Sequence, residues 1–236
     1  MKESISIIIT AYNEEKNIEK VVNLTFKVLK KAADDYEVIV VDDGSEDKTH
    51  QILKRLQKKY RQLRIIKNPK NLGIGNSLKI LFKAARKNLV FFIPADGQIK
   101  ATELPKFLKK SKDYDLICGS TWRKGYPFYR KILSYLYNLL LRVFYKTGVK
   151  NADSAKFIKR RVLKSIKLES NSDFVDAELI AKARKYGFKI TELPIRFHPR
   201  TSGKSSALKL NVILPKILDF LIFLPKIIFY QPRRDK

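Results

Sequence analysis

The chain has 236 residues, and its composition excludes several classes of protein. Hydrophobic residues make up 44% and aromatic residues 11%, which is too apolar for an intrinsically disordered chain, and a lone cysteine excludes an internal disulfide framework. Lys and Arg number 50 against 23 Asp and Glu, so the formal charge of +27 requires an anionic partner such as nucleic acid, anionic lipid or a phosphorylated ligand.

The N-terminal part of the chain alternates short apolar runs with amphipathic segments. The runs predict buried strands at Ser4–Thr10, Glu37–Val41 and Leu89–Ile93. The segments between them predict helices at Glu15–Ala33, Glu46–Tyr60 and Ile74–Lys87. Asn13 and Ser45 stand where helix N-caps are expected. This order predicts an α/β fold with a mostly parallel, Rossmann-like sheet that binds ligands outside the carboxyl ends of its strands.

The next part of the chain predicts a strand near Asp115–Cys118 and then a helix at Pro127–Thr147. This helix is dense in Leu, Tyr and Phe, with basic residues interspersed. Two interpretations stay open for it: a helix lying in a membrane interface, and an ordinary core helix with extended cationic side chains.

The C-terminal part predicts a helix at Phe174–Tyr186, a strand at Lys189–Leu193 and a basic loop at Pro199–Ser206. Ala207–Tyr230 is strongly apolar but is interrupted by charged residues and two prolines, which argues for amphipathic helices lying in the interface rather than spanning a membrane. We therefore predict a catalytic domain over residues 1–206 and a membrane-interface tail over residues 207–236.

Three polar loops follow the predicted strands and should meet at one edge of the sheet. They contain Tyr12-Asn13-Glu14, Asp42-Asp43-Gly44-Ser45 and Asn71-Leu72-Gly73. Adjacent carboxylates at a strand end can accept hydrogen bonds from a base and a ribose, and glycines allow the backbone to approach a ligand closely. Each loop alone is weak support, but together they predict a nucleotide site.

A further carboxylate follows the strand Leu89–Ile93. Asp96 and Gln98 offer hard oxygen ligands two residues apart, which suit Mg²⁺ or Mn²⁺ bridging two phosphates. The alternative is a solvated Asp-Gly turn without a metal.

The chain resembles glycosyltransferase family 2, and within it the polyprenyl-phosphate glycosyltransferases, the group of dolichol-phosphate mannose synthase. The resemblance covers nearly the whole chain and rests on its motifs in order: Ile9 to Glu15, Val41 to Ser45, Asn71 to Gly75, Asp96 to Gln98, Glu192 to Ile195 and Arg200 to Ser205. It implies a GT-A fold, a nucleotide-sugar donor, a divalent ion at Asp96 and Gln98, and single displacement with inversion. Three departures stand out: Thr10 stands where the family often has Pro, Pro94 replaces the first carboxylate of the metal motif, and Ser154-Ala155-Lys156-Phe157 replaces a glycine-containing stretch.

The resemblance also implies roles for individual residues. Tyr12, Asn13, Glu14, Asp42, Asp43, Gly73 and Asp96 would bind the donor. Asp96, Arg200 and Lys204 would carry catalysis, with the last two in a loop that closes over the donor diphosphate; a solvated surface cation is the alternative for Arg200. Arg130 and Ser134, four apart on one helix, would grip the acceptor phosphate, and we include Arg123 in that site. His50 and His198 receive no role.

The leading functional hypothesis is transfer of a sugar from a UDP- or GDP-sugar to dolichyl or undecaprenyl phosphate, at the cytoplasmic face of a membrane to which the protein binds peripherally. The partners would be the donor, the lipid phosphate and the anionic membrane surface; an integral membrane protein is the further partner we consider. Transfer to a sugar hydroxyl, with Asp153 as the base, is the rival within the family. A non-catalytic relative that binds nucleotide sugar or lipid is another alternative. Binding of nucleic acid is not expected, because the basic residues are spread along most helices and no recognition module is present.

Overall fold

The computed structural model of the chain describes residues 3–121, 128–199 and 210–232, without the side chains of Arg130 and of residues 210–213. The strands in this part of the chain are β1 Ser4–Ala11, β2 Asp35–Asp42, β3 Leu63–Lys67, β4 Leu89–Pro94, β5 Leu116–Thr121, β6 Lys156–Lys159 and β7 Ile190–Ile195. The helices are α1 Ile18–Ala32, α2 Thr49–Lys59, α3 Ile74–Ala84, α4 Leu104–Lys110, α5 Phe128–Phe144, α6 Arg160–Ser165, α7 Val175–Lys185 and α8 Leu210–Ile228, with a 3-10 turn at Ala101–Glu103.

Within the described residues the strands form one sheet in the order β3-β2-β1-β4-β6-β5-β7. All neighbouring pairs are parallel except those of β6, which runs antiparallel to both β4 and β5. The predicted α/β fold with a mostly parallel sheet is thus confirmed. Because every strand other than β6 points the same way, the loops after β1, β2, β4 and β5 meet at one carboxyl edge.

Apolar side chains alternate between the two faces of the sheet. In β1, Ile7 and Ile9 pack on one face with α1, α2 and α4, while Ile8 packs on the other with α3 and α7. In β4, Phe91 and Phe92 divide in the same way. This period of two explains why the strands are apolar along their whole length: helices cover both faces.

Helix α8 packs against α7 and contributes Phe223 and Ile227 to the core on the α7 face. It runs through Pro215 and Pro225 without a break, so the prolines do not divide the segment into two helices. Its acidic residue, Asp219, accepts hydrogen bonds from Ser170 Oγ (2.6 Å) and Ser172 Oγ (2.7 Å) in the loop before α7. One side of α8 is therefore anchored to the rest of the protein.

Candidate active site

The loops after β1 and β2 are bonded to each other. Asn13 N donates to Ser45 Oγ (3.0 Å), and Asn13 Oδ1 accepts from Glu46 N (2.9 Å). Asn13 adopts a positive φ of 53°, which Asn tolerates better than most residues. The prediction that Asn13 and Ser45 cap α1 and α2 is wrong, since Asn17 and Lys48 occupy the N-cap positions. Their polar side chains instead join two loops at the carboxyl edge.

Two more bonds tie the first loop to the start of α2. Glu14 N donates to Thr49 Oγ1 (2.8 Å), and Glu15 N donates to Asp47 Oδ2 (3.0 Å). Glu14 also accepts from Asn17 Nδ2 (2.7 Å). The neighbouring Tyr12 remains 40% exposed, so a rigid loop presents an accessible aromatic ring at this edge.

Asp42 is fully buried, and both of its carboxylate oxygens have partners within the protein. Oδ1 accepts from Ser45 N (3.0 Å), and Oδ2 lies 2.9 Å from Nδ1 of His50 on α2. The sequence analysis gave His50 no role. The one sequence signal that links it to Asp42 is its position in the first turn of the helix that follows the Asp42 loop.

Asp43 organises the third loop. Its Oδ1 accepts from Asn68 Nδ2 (2.7 Å) and Leu72 N (2.9 Å), and its Oδ2 accepts from Gly73 N (3.0 Å). Gly73 has a φ of 84°, which favours glycine, and it stands at the N-cap position of α3. The two adjacent aspartates thus fix the loops in which the nucleotide site was predicted.

Gly75 lies in the first turn of α3 against the loop before α7. A side chain at this position would collide with the carbonyl oxygens of Asn171 and Ser172. The glycine is therefore required for close packing between two backbones. The start of α3 is in turn packed against the segment whose Ser170 and Ser172 bond to Asp219 of α8.

The turn after β4 carries the predicted metal ligands. Asp96 is half-buried and its Oδ1 accepts from Gln98 N (3.0 Å), while the main-chain oxygen of Gln98 accepts from His198 N (2.8 Å). Among the described residues there is no group of three or more His, Cys, Asp and Glu side chains suited to a metal ion. The donor set of Asp96 and Gln98 fits Mg²⁺ or Mn²⁺ as hard oxygen ligands, with one carboxylate from the protein.

Two of the predicted acceptor residues, Arg130 and Ser134, belong to α5. Arg130 and Ser134 are one turn apart on this helix, which begins beyond the carboxyl end of β5. Asn138 connects α5 to the loop before β6: its Nδ2 donates to Ser134 O (2.8 Å), and its Oδ1 accepts from Ala152 N (3.0 Å). Arg123, Arg200 and Lys204 lie outside the described residues, as does the side chain of Arg130.

A second group of carboxylates was not predicted as a site. Asp153, Asp173 and Asp176 interact electrostatically around a fully buried Lys156, whose Nζ lies 2.8 Å from Asp176 Oδ2. We call these four residues the acid cluster. Burial raises the pKa of Asp176 to about 6 despite the lowering effect of Lys156, and burial also raises the pKa of Asp173. Asp153 was considered only as the base of the rival reaction.

Helices α5 and α8 together expose a broad apolar surface, which includes Phe128, Tyr135, Val143, Leu214 and Leu221. The two helices touch through Phe220, whose ring packs edge-on against Phe144, and through Lys216, whose Nζ lies 4.1 Å from the ring centre of Tyr137. Large exposed apolar surfaces of this kind mark sites of interaction. In the part of the chain described here, no helix is both long enough and apolar enough to cross a membrane.

Comparison with known proteins identifies the family. The model of "Glycosyl transferase family 2" matches residues 6–171. The chain is 29% identical over 211 residues to the glycosyltransferase AglD of Haloferax volcanii. The aligned region is 85% of this chain but only 34% of that protein. The chain is 28% identical over 237 residues to a dolichyl-phosphate beta-glucosyltransferase of Trichomonas vaginalis, covering 92% of this chain and 73% of that protein.

Solved structures share the fold. Glucosyl-3-phosphoglycerate synthase from Mycobacterium tuberculosis, in complex with Mn²⁺, uridine diphosphate and glucosyl-3-phosphoglycerate, superimposes with a TM-score of 0.70 at 19% identity, over 93% of this chain and 79% of that one. The family match spans well over half of the chain, from β1 into the loop before α7. This chain, with its bonded loops at the carboxyl edge of a mostly parallel sheet, belongs to glycosyltransferase family 2.

Proposed function

We propose that the protein transfers a sugar from a UDP- or GDP-sugar to a polyprenyl phosphate, either dolichyl or undecaprenyl. The relatives support this assignment, since one of them is a dolichyl-phosphate beta-glucosyltransferase. The observation that carries it is an arrangement at one edge of the sheet. The loops after β1 and β2 and the Asp96 turn lie at that edge, and α5, which exposes apolar residues, is bonded through Asn138 to Ala152 in the loop before β6 at the same edge.

The chemistry is a single displacement with inversion at the anomeric carbon. A phosphate monoester has a second pKa near 6, so the acceptor is already an oxyanion at neutral pH and no general base is needed. Its oxygen forms the new bond to the anomeric carbon while the bond to the nucleoside diphosphate breaks. Mg²⁺ or Mn²⁺ held by Asp96 and Gln98 would neutralise charge on the leaving diphosphate, as suggested by the Mn²⁺ in the mycobacterial structure.

In this proposal the acceptor phosphate is bound by Arg130, Ser134 and Arg123. The donor diphosphate is bound by Arg200 and Lys204. Arg offers two parallel hydrogen bonds to a phosphate, which suits this task. Tyr12, at the exposed rim of the first loop, would contact the nucleotide. Asp42 and Asp43 would support the nucleotide site by fixing its loops, because their carboxylate oxygens accept hydrogen bonds from the main chain of those loops.

The apolar surface of α5 and α8 would rest on the cytoplasmic face of an anionic membrane. Helix α5 has no acidic residue, and the acid of α8, Asp219, is bonded to Ser170 and Ser172 instead. Lys131 and Arg142 add positive charge along α5, whereas Lys226 of α8 lies 3.5 Å from the exposed Glu169. A surface that is mostly apolar, with basic residues on α5 and no acid on that helix, matches a negatively charged bilayer. Attachment would be peripheral, with residues 207–236 as the interface element.

The test is direct. Purified protein is incubated with membranes and a panel of radiolabelled nucleotide sugars, and organic-extractable label that mild acid releases is measured. We expect such label from one donor, and we expect its loss in Asp96→Asn but not in Asp113→Asn, a change at an exposed acid of the opposite edge. Label that appears only in water-soluble glycan would contradict the lipid acceptor and support the hydroxyl rival.

A second measurement addresses the acceptor site. Arg130→Ala should raise the KM for polyprenyl phosphate and leave nucleotide-sugar affinity unchanged, because a charge-assisted phosphate contact contributes about 1.5–3 kcal/mol. Arg130→Lys should recover only part of the loss, since the planar fork is gone. A wild-type rate and acceptor KM in Arg130→Ala would refute the assignment.

A further inference from the structure

The acid cluster lies at the same edge of the sheet as the Asp96 turn. Strand β6 begins at Lys156, which pairs with Phe92 of β4 and Cys118 of β5. Because β6 runs antiparallel to both, the residues just before it lie toward the carboxyl ends of its neighbours. Asp176 is in the first turn of α7, which faces the same region. The acid cluster is therefore part of the active-site edge, although the proposed transfer chemistry does not use it.

The floor of the acid cluster contains polar atoms with unused hydrogen-bonding capacity. Lys156 Nζ donates to Asp176 Oδ2 (2.8 Å) and to the main-chain oxygen of Ser154 (2.9 Å). Asp176 Oδ1 and Ser154 Oγ, in residues that are 7% and 5% exposed, have no hydrogen-bond partner in the described part of the chain. Buried polar atoms in native proteins are rarely left unpaired, so these two have hydrogen-bonding capacity for a polar group from outside the protein.

The electrostatics of the acid cluster select the kind of ligand. Three carboxylates face two lysines, Lys156 within the cluster and Lys216 beside Asp173. A phosphate would be repelled by the excess negative charge, and Lys156 already takes the place of a bound cation. A neutral hydroxyl group can donate to Asp176 Oδ1 and can exchange a hydrogen bond with Ser154 Oγ.

The residues of the acid cluster and Ser154 differ in exposure. Asp153 and Asp173 are half-buried, whereas Ser154 and Lys156 are buried and the side chain of Asp176 is 10% exposed. A polyprenyl phosphate carries no alcohol hydroxyl, so in the proposed reaction the group with alcohol hydroxyls near this edge is the sugar of the donor.

We propose that the acid cluster binds the hydroxyl groups of the donor's sugar, with Asp176 Oδ1 and Ser154 Oγ as the innermost contacts and Lys156 as the residue that positions Asp176. This inference rests on the proposed function, because it requires a nucleotide-sugar donor. The inference also explains why a lysine is buried at position 156, where the family has a glycine-containing stretch. Lysine side chains are rarely buried unless they are paired with an acid.

The experiment compares sugar nucleotides with bare nucleotides. Calorimetry measures the affinity of the protein for UDP-glucose and GDP-mannose, and for UDP and GDP, with Mn²⁺ present. In the wild type we expect the matching sugar nucleotide to bind more tightly than its diphosphate. Ser154→Ala should reduce the affinity for the sugar nucleotide by about 3- to 10-fold, and the double variant Lys156→Met/Asp176→Asn by about 10- to 100-fold. In both variants the affinity for UDP or GDP should change by less than about twofold.

The double variant removes both buried charges together, which avoids leaving one of them unpaired. Asp115→Asn, at a buried acid that is bonded to Arg161 and directly precedes the amino end of β5, is the matched control and should keep the wild-type preference. An unchanged preference for sugar nucleotide in both test variants would overturn the proposal. The proposal would also be overturned if the variants kept the preference for sugar nucleotide but lost transfer to an acceptor with a hydroxyl group. In that case the acid cluster would bind the acceptor. If the wild type binds no nucleotide at all, the proposed function fails together with this inference; if it binds donor but transfers no sugar to lipid phosphate, only the proposed function fails.

Discussion

Asp43→Asn tests whether the Asp43 carboxylate determines the structure of the loop before α3. The Asn oxygen can replace Oδ1 and keep the bonds from Asn68 Nδ2 and Leu72 N, but its amino group would then face Gly73 N in place of Oδ2. Two donors would oppose each other at a site where Asp43 is 5% exposed. Leaving a buried donor unsatisfied costs about 1–3 kcal/mol, so we expect the free energy of unfolding to fall by about that amount.

The functional effect should follow from the same bond. Gly73 stands at the N-cap position of α3, so a displaced Gly73 would shift the backbone that we propose approaches the nucleotide. We expect weaker binding of UDP or GDP by calorimetry, together with a lower midpoint in urea. The control is Asp113→Asn, because Asp113 is exposed and its side chain takes no part in these loops. Wild-type stability and wild-type nucleotide affinity in Asp43→Asn would refute the reasoning.

Three further predictions concern other parts of the fold. Gly75→Ala should lower the melting temperature by several degrees, because the new methyl group would meet the main chain at Asn171 and Ser172; an unchanged melting temperature would show that the two backbones can separate freely. Asp176 has a pKa raised from 3.8 to about 6 in the folded protein, so the native state binds more protons than the unfolded state between those values. The contribution of Asp176 to stability should therefore be lost as the pH rises from about 4 to about 6, and denaturation across this range should show that loss in the wild type but not in Lys156→Met/Asp176→Asn. Asp96→Asn should abolish most turnover without changing the melting temperature, and excess chelator should do the same to the wild type; full activity in either case would remove the metal from the reaction.

The acid cluster illustrates what the sequence could not predict. The short strand β6 has the sequence Lys-Phe-Ile-Lys, so it lacks the apolar run that revealed β1, β2 and β4. Lysine is usually exposed, and nothing local indicates that Lys156 is buried against an acid 20 positions later. The antiparallel strand and the group of carboxylates around it were therefore missed together.

The sequence also did not predict which polar side chains form hydrogen bonds between different loops. Asn13 and Ser45 match the residue types of N-caps, and the local pattern favoured that role, yet each bonds to the loop of the other. His50 near Asp42, and Gly73 bonded to Asp43, are likewise pairings that depend on how neighbouring strands set their loops side by side. A polar side chain of this kind can satisfy its hydrogen bonds in several ways, and only the packed chain selects one.

The sequence by itself determined the parallel core, the carboxyl edge and the family. Strands covered by helices on both faces must be apolar throughout, and the helices that cover them must be amphipathic. Continuous apolar runs and apolar residues at helical spacing can both be recognised in the sequence. Tyr12, Asp42, Asp43 and Asp96 could be assigned to one edge because parallel strands end there. The tertiary structure decided which atoms of those residues are already bonded to the protein, that Lys156 and Asp176 form a buried pair, and that α5 and α8 share one exposed apolar surface, because contacts between distant segments depend on three-dimensional packing and not on local periodicity.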